Sequence, residues 1–301
     1  MRVLVTGATG MLGTSVMRHF LGHGHEVHGL SRGNRMRAPF EGEHRVQSDI
    51  TDKKEMDRLM KSIRPNVVIH TAALSDVDFC EENSKEAHRV NGEGTRILAE
   101  ASEREGAHFC YISTDYVFDG EKRDPYREED PCRPVNAYGA SKWEGERHTQ
   151  AICRRFFIVR TSWLFGEGHD SFVHHVLKWA ETKSELRLVS DKWSIPTYTP
   201  DLAAWIHALF ERKAEAGVYH VANGGGCNWL EYGKEILADR DMGHIPTASI
   251  SLEELDLPAR RPHYSILNLG KFSKRVGITP RPWEAALKVY FTDVLQDTST
   301  S

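Results

Sequence analysis

The chain has few cysteines, no long apolar run, no excess of one charge and no low-complexity tract, and each absence removes a class of function. Nowhere in the 301 residues is there a stretch approaching the ~18 consecutive apolar residues of a membrane-spanning helix. The 39 Lys and Arg against 43 Asp and Glu give a net charge of −4, without the basic stripe that bulk nucleic-acid binding requires. The five cysteines, Cys80, Cys110, Cys132, Cys153 and Cys227, include no C-x-x-C pair. An odd, scattered set in a chain this long argues against a disulfide framework and for a reducing compartment. Met1 leads almost directly into a strand, so no signal or transit segment is expected, and the protein reads as cytoplasmic. His19, His23, His25 and His28 cluster in sequence but straddle a helix end and a strand. They meet no zinc-ligand spacing, and no metal site is expected.

Alternating strand-like and helix-like segments fill the first half. Arg2 to Thr6 is a short apolar run ending at a glycine, and Leu12, Val16, Phe20 and Leu21 then recur at helical spacing. Further strands are expected over 26–30, 45–48, 66–73, 108–114 and 156–160. Helices are expected over 53–63, 86–105 and 138–150. Repeated βα units mean an α/β fold, a Rossmann-type doubly wound parallel sheet with helices on both faces. After Thr161 the regularity fades. A helix over 200–211 and a strand over 218–222 are expected to return to the sheet. The division expected is a dinucleotide-binding domain over 1–160, joined by 200–222, and a smaller C-terminal α/β substrate domain over 161–301. The polar tail 296–301 is expected to be disordered.

The turn after the first strand reads Thr6-Gly7-Ala8-Thr9-Gly10-Met11-Leu12-Gly13. Gly7 allows a tight turn, Gly10 admits a pyrophosphate to the backbone, and Gly13 lets the helix pack on the strand. The helix N-terminus then faces the phosphates. A strand–glycine turn–helix order is the context that gives such a triplet meaning. Cofactor choice is read at the end of the second strand, where an acid would bond the ribose hydroxyls of NAD. This chain carries Arg32 there, followed by Arg35 and Arg37, so NADP(H) is the cofactor expected, Arg32 pairing its 2′-phosphate. Asp49 and Ile50 follow the third strand where the adenine ring would lie. Asp49 can serve the adenine amine or cap the next helix.

Tyr138 and Lys142 lie four residues apart, on one face of a helix. A lysine beside a phenol stabilises the phenolate and makes proton transfer feasible near neutral pH. The fifth strand ends at Thr114, whose hydroxyl can orient a carbonyl. Trp163 and Trp193 sit where a sugar or nucleobase can stack, and Arg260 and Arg261 are candidates for a diphosphate.

Together TGATGMLG, Asn91 in VNGEGT, STDYVFDG, YGASK and RTSWLFG resemble the extended short-chain dehydrogenase/reductases, and within them the dTDP-4-dehydrorhamnose reductase family. The resemblance covers nearly the whole chain. It implies NADPH-dependent reduction of the 4-keto group of a nucleotide-linked 6-deoxyhexose, with a nucleotide sugar as partner and neither nucleic acid nor membrane; a homodimer is left open. Carried over, Thr114, Tyr138 and Lys142 would be catalytic. Gly7, Gly10, Met11, Leu12, Arg32, Asp49, Ile50, Ala72, Ala73 and Leu74 would serve the cofactor, and Asn91, counted with them, would support the catalytic lysine. Asp115 and Trp163 would contact the sugar nucleotide. Two positions depart from the family: Met11 replaces a frequent glutamine, and the loop from Asp191 to Thr197 lacks a usual glycine. Two alternatives stand beside this reading. One is an epimerase or dehydratase on the same frame. The other is a non-catalytic NADP-binding regulatory subunit, because the chain also resembles the β-subunit of methionine adenosyltransferase.

Overall fold

The computed structural model describes residues 1–33 and 39–298. Its centre is a seven-stranded parallel sheet. The strands are β1 (Arg2–Thr6), β2 (Glu26–Ser31), β3 (Glu43–Gln47), β4 (Val67–His70), β5 (His108–Thr114), β6 (Phe156–Thr161) and the edge strand Gly217–His220. Their spatial order is edge strand, β6, β5, β4, β1, β2, β3. The chain order reverses between β1 and β4, which opens a crevice at their carboxyl ends.

The central strands β1, β4, β5 and β6 are buried on both faces because they are mostly apolar along their length rather than alternating, whereas β3 at the edge is polar and part-exposed. Val3 and Val5 face one core with Val16 and Phe20 of helix α1 (Met11–Gly22) and Leu202 and Ile206 of the helix Thr199–Glu211. Leu4 faces the opposite core with Met56, Met60 and Leu98. A third core, built from Phe165, Tyr198, Tyr232, Trp283 and Tyr290, lies among the later helices Phe172–Thr182, Trp229–Ala238 and Trp283–Thr298. There Leu186–Val189 and Thr247–Ile250 form a separate parallel pair.

Four expectations need correction. The fourth strand stops at His70, not Ala73, because the chain leaves the ladder: the Thr71 hydroxyl donates to the Thr6 carbonyl at 2.6 Å and Asn91 takes the Leu74 backbone. The long helix expected over 86–105 is divided by a π-helical segment, His88–Glu93. Such widened turns recur at functional sites because they turn a side chain inward, and Asn91 is the buried residue turned in here. The tail is not free over its whole length, since the last helix runs to Thr298. Three of the four clustered histidines do converge: His207, from the helix Thr199–Glu211, packs between His19 and His25, with His23 alongside, while His28 stacks on His44 elsewhere. Arg35 and Arg37 lie outside the described residues.

Candidate active site

At the carboxyl ends of β1, β4, β5 and β6 lies a cleft of about 930 Å³, within the size range of ligand sites. Gly7, Gly10, Met11, Leu12, Arg32, Asp49, Ile50, Ala72, Ala73, Leu74, Thr114, Asp115, Tyr138, Lys142 and Trp163 all line it. Strands that leave the sheet in parallel deliver their following loops to one edge, so residues more than 150 positions apart meet.

One rim is backbone. Gly7 has φ +68°, and a Cβ there would lie 2.7 Å from the Ala72 nitrogen. A Cβ on Gly13 would overlap the Gly7 carbonyl oxygen, so only glycine lets α1 sit this close to β1. Helix α1 starts at Met11 with no side-chain cap on its first amides, which leaves them for a ligand. Arg32 is exposed at the end of the crevice. Asp49 does not cap the next helix; Asp52 does, accepting from the Glu55 amide at 3.0 Å. Asp49 instead closes a turn on Thr51 through bonds of 2.9 and 2.8 Å. Burial would raise its carboxyl, but those bonds and the nearby Arg89 and Arg32 hold it below its usual range.

The opposite rim is made of side chains. Thr114 ends β5 and its hydroxyl accepts the Tyr116 amide at 3.1 Å. The helix Ala137–Ile152 presents Tyr138 in its first turn, fixed by the Asn136 cap on the Gly139 amide at 2.8 Å. Burial pushes the Tyr138 phenol above its usual value, while a hydrogen bond with the Thr114 side chain works the other way. Lys142, one turn on, is 3 % exposed and donates to the Ile112 carbonyl at 2.7 Å. Burial brings its pKa down to about 7, opposed by Glu146 and Cys80. The expected lowering of the phenol by Lys142 is therefore not what this geometry shows; the ammonium is turned to the Ile112 carbonyl and the Tyr111 ring, 4.3 Å away.

Asn91 does not line the cleft but stands behind it, against the helix that carries Lys142. Its amide accepts from the Leu74 nitrogen at 2.8 Å and donates to the Leu74 carbonyl at 2.9 Å and to Ser141 at 3.0 Å. It thus ties the loop after β4 to the helix that carries Tyr138 and Lys142. Asp115 is 2 % exposed. It accepts from Thr114 at 3.2 Å, Ser194 at 2.8 Å and Ser265 at 2.5 Å. Burial raises its carboxyl, and Lys192 and the three hydroxyls oppose the rise. Trp163 adopts φ +36°, a conformation that costs a non-glycine residue on the order of 1–2 kcal/mol. Its ring stands 5.9 Å from Trp229 and 6.4 Å from Tyr232. Trp193 pairs with Asn228 in a short ladder instead and does not line the cleft. Arg261 is spent on Asp78 through two 2.6 Å bonds, so it is not offered to a diphosphate.

Three residues escape a reading of the sequence. Lys192 is fully buried behind the rim, donates to the Pro262 carbonyl at 3.0 Å and lies 5.5 Å from the Trp163 ring. Burial brings its pKa down to about 8, with Asp115 opposing. His169 reaches the Thr9 carbonyl of the glycine turn at 2.8 Å. Thr161, at the end of β6, lines the cleft with a buried hydroxyl that has no protein partner. Only its place at a strand end was a signal.

The RmlD substrate binding domain family matches residues 1–296. The chain belongs to this family. Among its relatives, the spore coat polysaccharide biosynthesis protein SpsK of Bacillus subtilis is 38% identical over 292 residues, covering 97% of each chain. The dTDP-4-dehydrorhamnose reductase of Streptomyces griseus is 37% identical, covering 96% of this chain and 93% of that one. The crystal structure of dTDP-4-dehydrorhamnose reductase from Bacillus anthracis in complex with NADP has a TM-score of 0.88 at 32% identity, covering 97% of this chain and 99% of that one. The residues of this RmlD family member fit a dinucleotide: a backbone turn that a Cβ would fill, uncapped helix amides, an arginine at the second strand's end and an orphaned hydroxyl in the cleft. Among the described residues no helix is long and apolar enough to cross a membrane.

Proposed function

We propose that the protein is an NADPH-dependent dTDP-4-dehydrorhamnose reductase, reducing the 4-keto group of a nucleotide-linked 6-deoxy-4-ketohexose. The observation that carries this is one cleft holding a glycine turn, Arg32 and the Thr114–Tyr138–Lys142 group, in a chain that matches such reductases along nearly its whole length. Gly7, Gly10, Met11 and Leu12 would hold the pyrophosphate, Arg32 the 2′-phosphate, and Ala72 to Leu74 with Lys142 the nicotinamide end. Bound NADPH supplies the hydride.

The protein's part is placement and proton supply. Thr114 orients the keto oxygen beside the Tyr138 phenol. The phenol, kept protonated by burial, donates its proton to the alkoxide that develops at C4. Lys142 charges the surroundings of that oxygen when it turns from the Ile112 carbonyl. Asp115 and Trp163 line the sugar side. Residues 1–160 with 200–222 serve the cofactor, and the remainder serves the sugar nucleotide.

The epimerase or dehydratase alternative is disfavoured by Arg32, a cation at the end of the second strand where an NAD-using enzyme carries an acid. The regulatory-subunit alternative is disfavoured by the full-length match to reductases. The cytoplasm is the compartment this biosynthetic reading implies.

The test is loss of NADPH absorbance with freshly made dTDP-4-keto-6-deoxy-mannose as substrate. Rapid oxidation that Tyr138→Phe abolishes is expected. No oxidation in a protein that still binds NADPH tightly would overturn the substrate, and a synthetase co-purifying with it would favour the regulatory role.

A further inference from the structure

At the end of α1 remote from the glycine turn, four imidazoles from three elements meet. His19 and His23 are one turn apart on α1 and its C-cap, His25 precedes β2, and His207 comes from the helix Thr199–Glu211. His207 is 4 % exposed and sits at the centre. Its Nδ1 lies 3.1 Å from His19 Nε2, and its Nε2 lies 3.0 Å from His25 Nε2. The His19 and His23 rings are 4.2 Å apart, and the His23 and His207 rings 5.1 Å. One ring nitrogen from each of His19, His23 and His207 lies within 4.8 Å of the other two.

We infer that His19, His23 and His207 form a binding site for a divalent transition-metal ion of the zinc class, with His25 as the outer partner that orients His207. A tetrahedral zinc ion with Zn–N bonds of about 2.0–2.1 Å sets neighbouring ligand nitrogens about 3.3–3.4 Å apart, close to the His19–His207 spacing. The sequence lacks a complete zinc-ligand pattern, but His19 and His23 have the H-x₃-H spacing of half of one, and His207 joins them in space from another helix. His23 is exposed and can close the last gap by side-chain rotation.

The orientation of His23 favours the same assignment. Its Nδ1–H donates to the His19 carbonyl at 2.7 Å, which leaves Nε2 with a lone pair. His207 Nε2 meets His25 Nε2 at 3.0 Å, an outer contact that steadies its ring. Glu211 adds a carboxylate 4.0 Å from His207 Nε2. The Met1 nitrogen, 3.1 Å from His25 Nδ1, and Lys213 in the same hollow are the nearby cations.

The fourth position faces a hollow lined by His23, Phe210, Glu211 and Lys213, and water completes the set. The ion would staple the end of α1 to the helix Thr199–Glu211. The twelve residues of α1 span about 18 Å, so the ion takes no part in the reduction.

The test uses tag-free full-length protein stripped with a chelator, titrated with zinc by calorimetry and with cobalt by visible absorbance. One equivalent, tetrahedral cobalt bands and a Tm rise of about 4 °C at zinc a hundredfold above Kd are expected. His23→Gln, at an exposed position, should weaken zinc binding tenfold or more, and His207→Gln should abolish it, with NADPH affinity unchanged in the His23 variant. Absence of stoichiometric binding, or binding that survives the His19→Gln/His23→Gln double substitution, overturns the site. NADPH oxidation by the same samples reports on the reductase reading separately.

Discussion

The two rims of the cleft solve the same problem with different materials. The glycine rim is backbone: Gly7, Gly10 and the first amides of α1 form a surface that any pyrophosphate can approach. The opposite rim is a set of buried side chains, in which Thr114, Asp115, Ser194 and Ser265 are bonded together and backed by Lys192. Backbone groups carry no identity, so they recognise a chemical class, and the turn can be shared by many enzymes. Side chains differ at every position, so under the proposed function discrimination between substrates would fall to the second rim. The two rims also fail differently. An added Cβ breaks the first by crowding, whereas loss of one polar partner breaks the second by leaving another unpaired.

The largest expected effect is at the junction of the rims. Tyr138→Phe should lower kcat by about 10²–10⁴-fold, the usual worth of a positioned proton donor. NADPH binding and thermal stability should stay near wild type, and a matching loss of both would show that the rims are not separable here. Next comes Gly7→Ala, which places a Cβ 2.7 Å from the Ala72 nitrogen at φ +68°. Overpacking of this kind costs about 1–3 kcal/mol. The prediction is a KM for NADPH raised about 10-fold or more, with little change in selectivity among sugar nucleotides.

Lys192→Met should do the reverse, raising KM for the sugar nucleotide by about 10-fold, or ~1.4 kcal/mol, with the NADPH affinity intact. A change in NADPH affinity instead would mean that Lys192 supports the wrong rim. Arg32→Ala should narrow the preference for NADPH over NADH by about 10-fold, since a charge-assisted contact at an exposed site contributes about 1.5 kcal/mol. Titration of both cofactors by fluorescence would show it.

The smallest effect is in pH dependence. Lys142 is charged below about pH 7 and neutral above it in the free protein, because burial disfavours its ammonium. If the ammonium serves the reaction, kcat/KM should decline as pH rises through about 7, with no second alkaline limb from Tyr138, whose phenol stays protonated. Lys142→Met should remove that decline from the residual activity. On stability the sign is opposite. The unfolded chain holds the Lys142 proton up to its ordinary pKa, so this group's contribution to stability rises with pH above about 7.

The alternation of apolar runs with helical spacing was enough to read the parallel sheet, because buried strands and amphipathic helices leave distinct periods. The π-helical turn at His88–Glu93 left no such trace, since a single inserted residue barely alters the pattern. The glycine turn and the Tyr138–Lys142 spacing were legible because local geometry fixes them. The partners of Asn91 and Arg261 were not. Asn91 turned out to clasp Leu74 and Ser141, and Arg261 to pair with Asp78, 183 positions away.

The sequence by itself determined the fold, the place of the glycine turn and the residue types of the proposed proton donor and its neighbours. These depend on short-range spacing and on strands delivering their loops to one edge. Only the tertiary structure decided which way Lys142 turns, how Asp115 is held, and that His207 joins His19 and His23. Those outcomes depend on which side chains compete for the same buried donors and acceptors once distant segments have packed together.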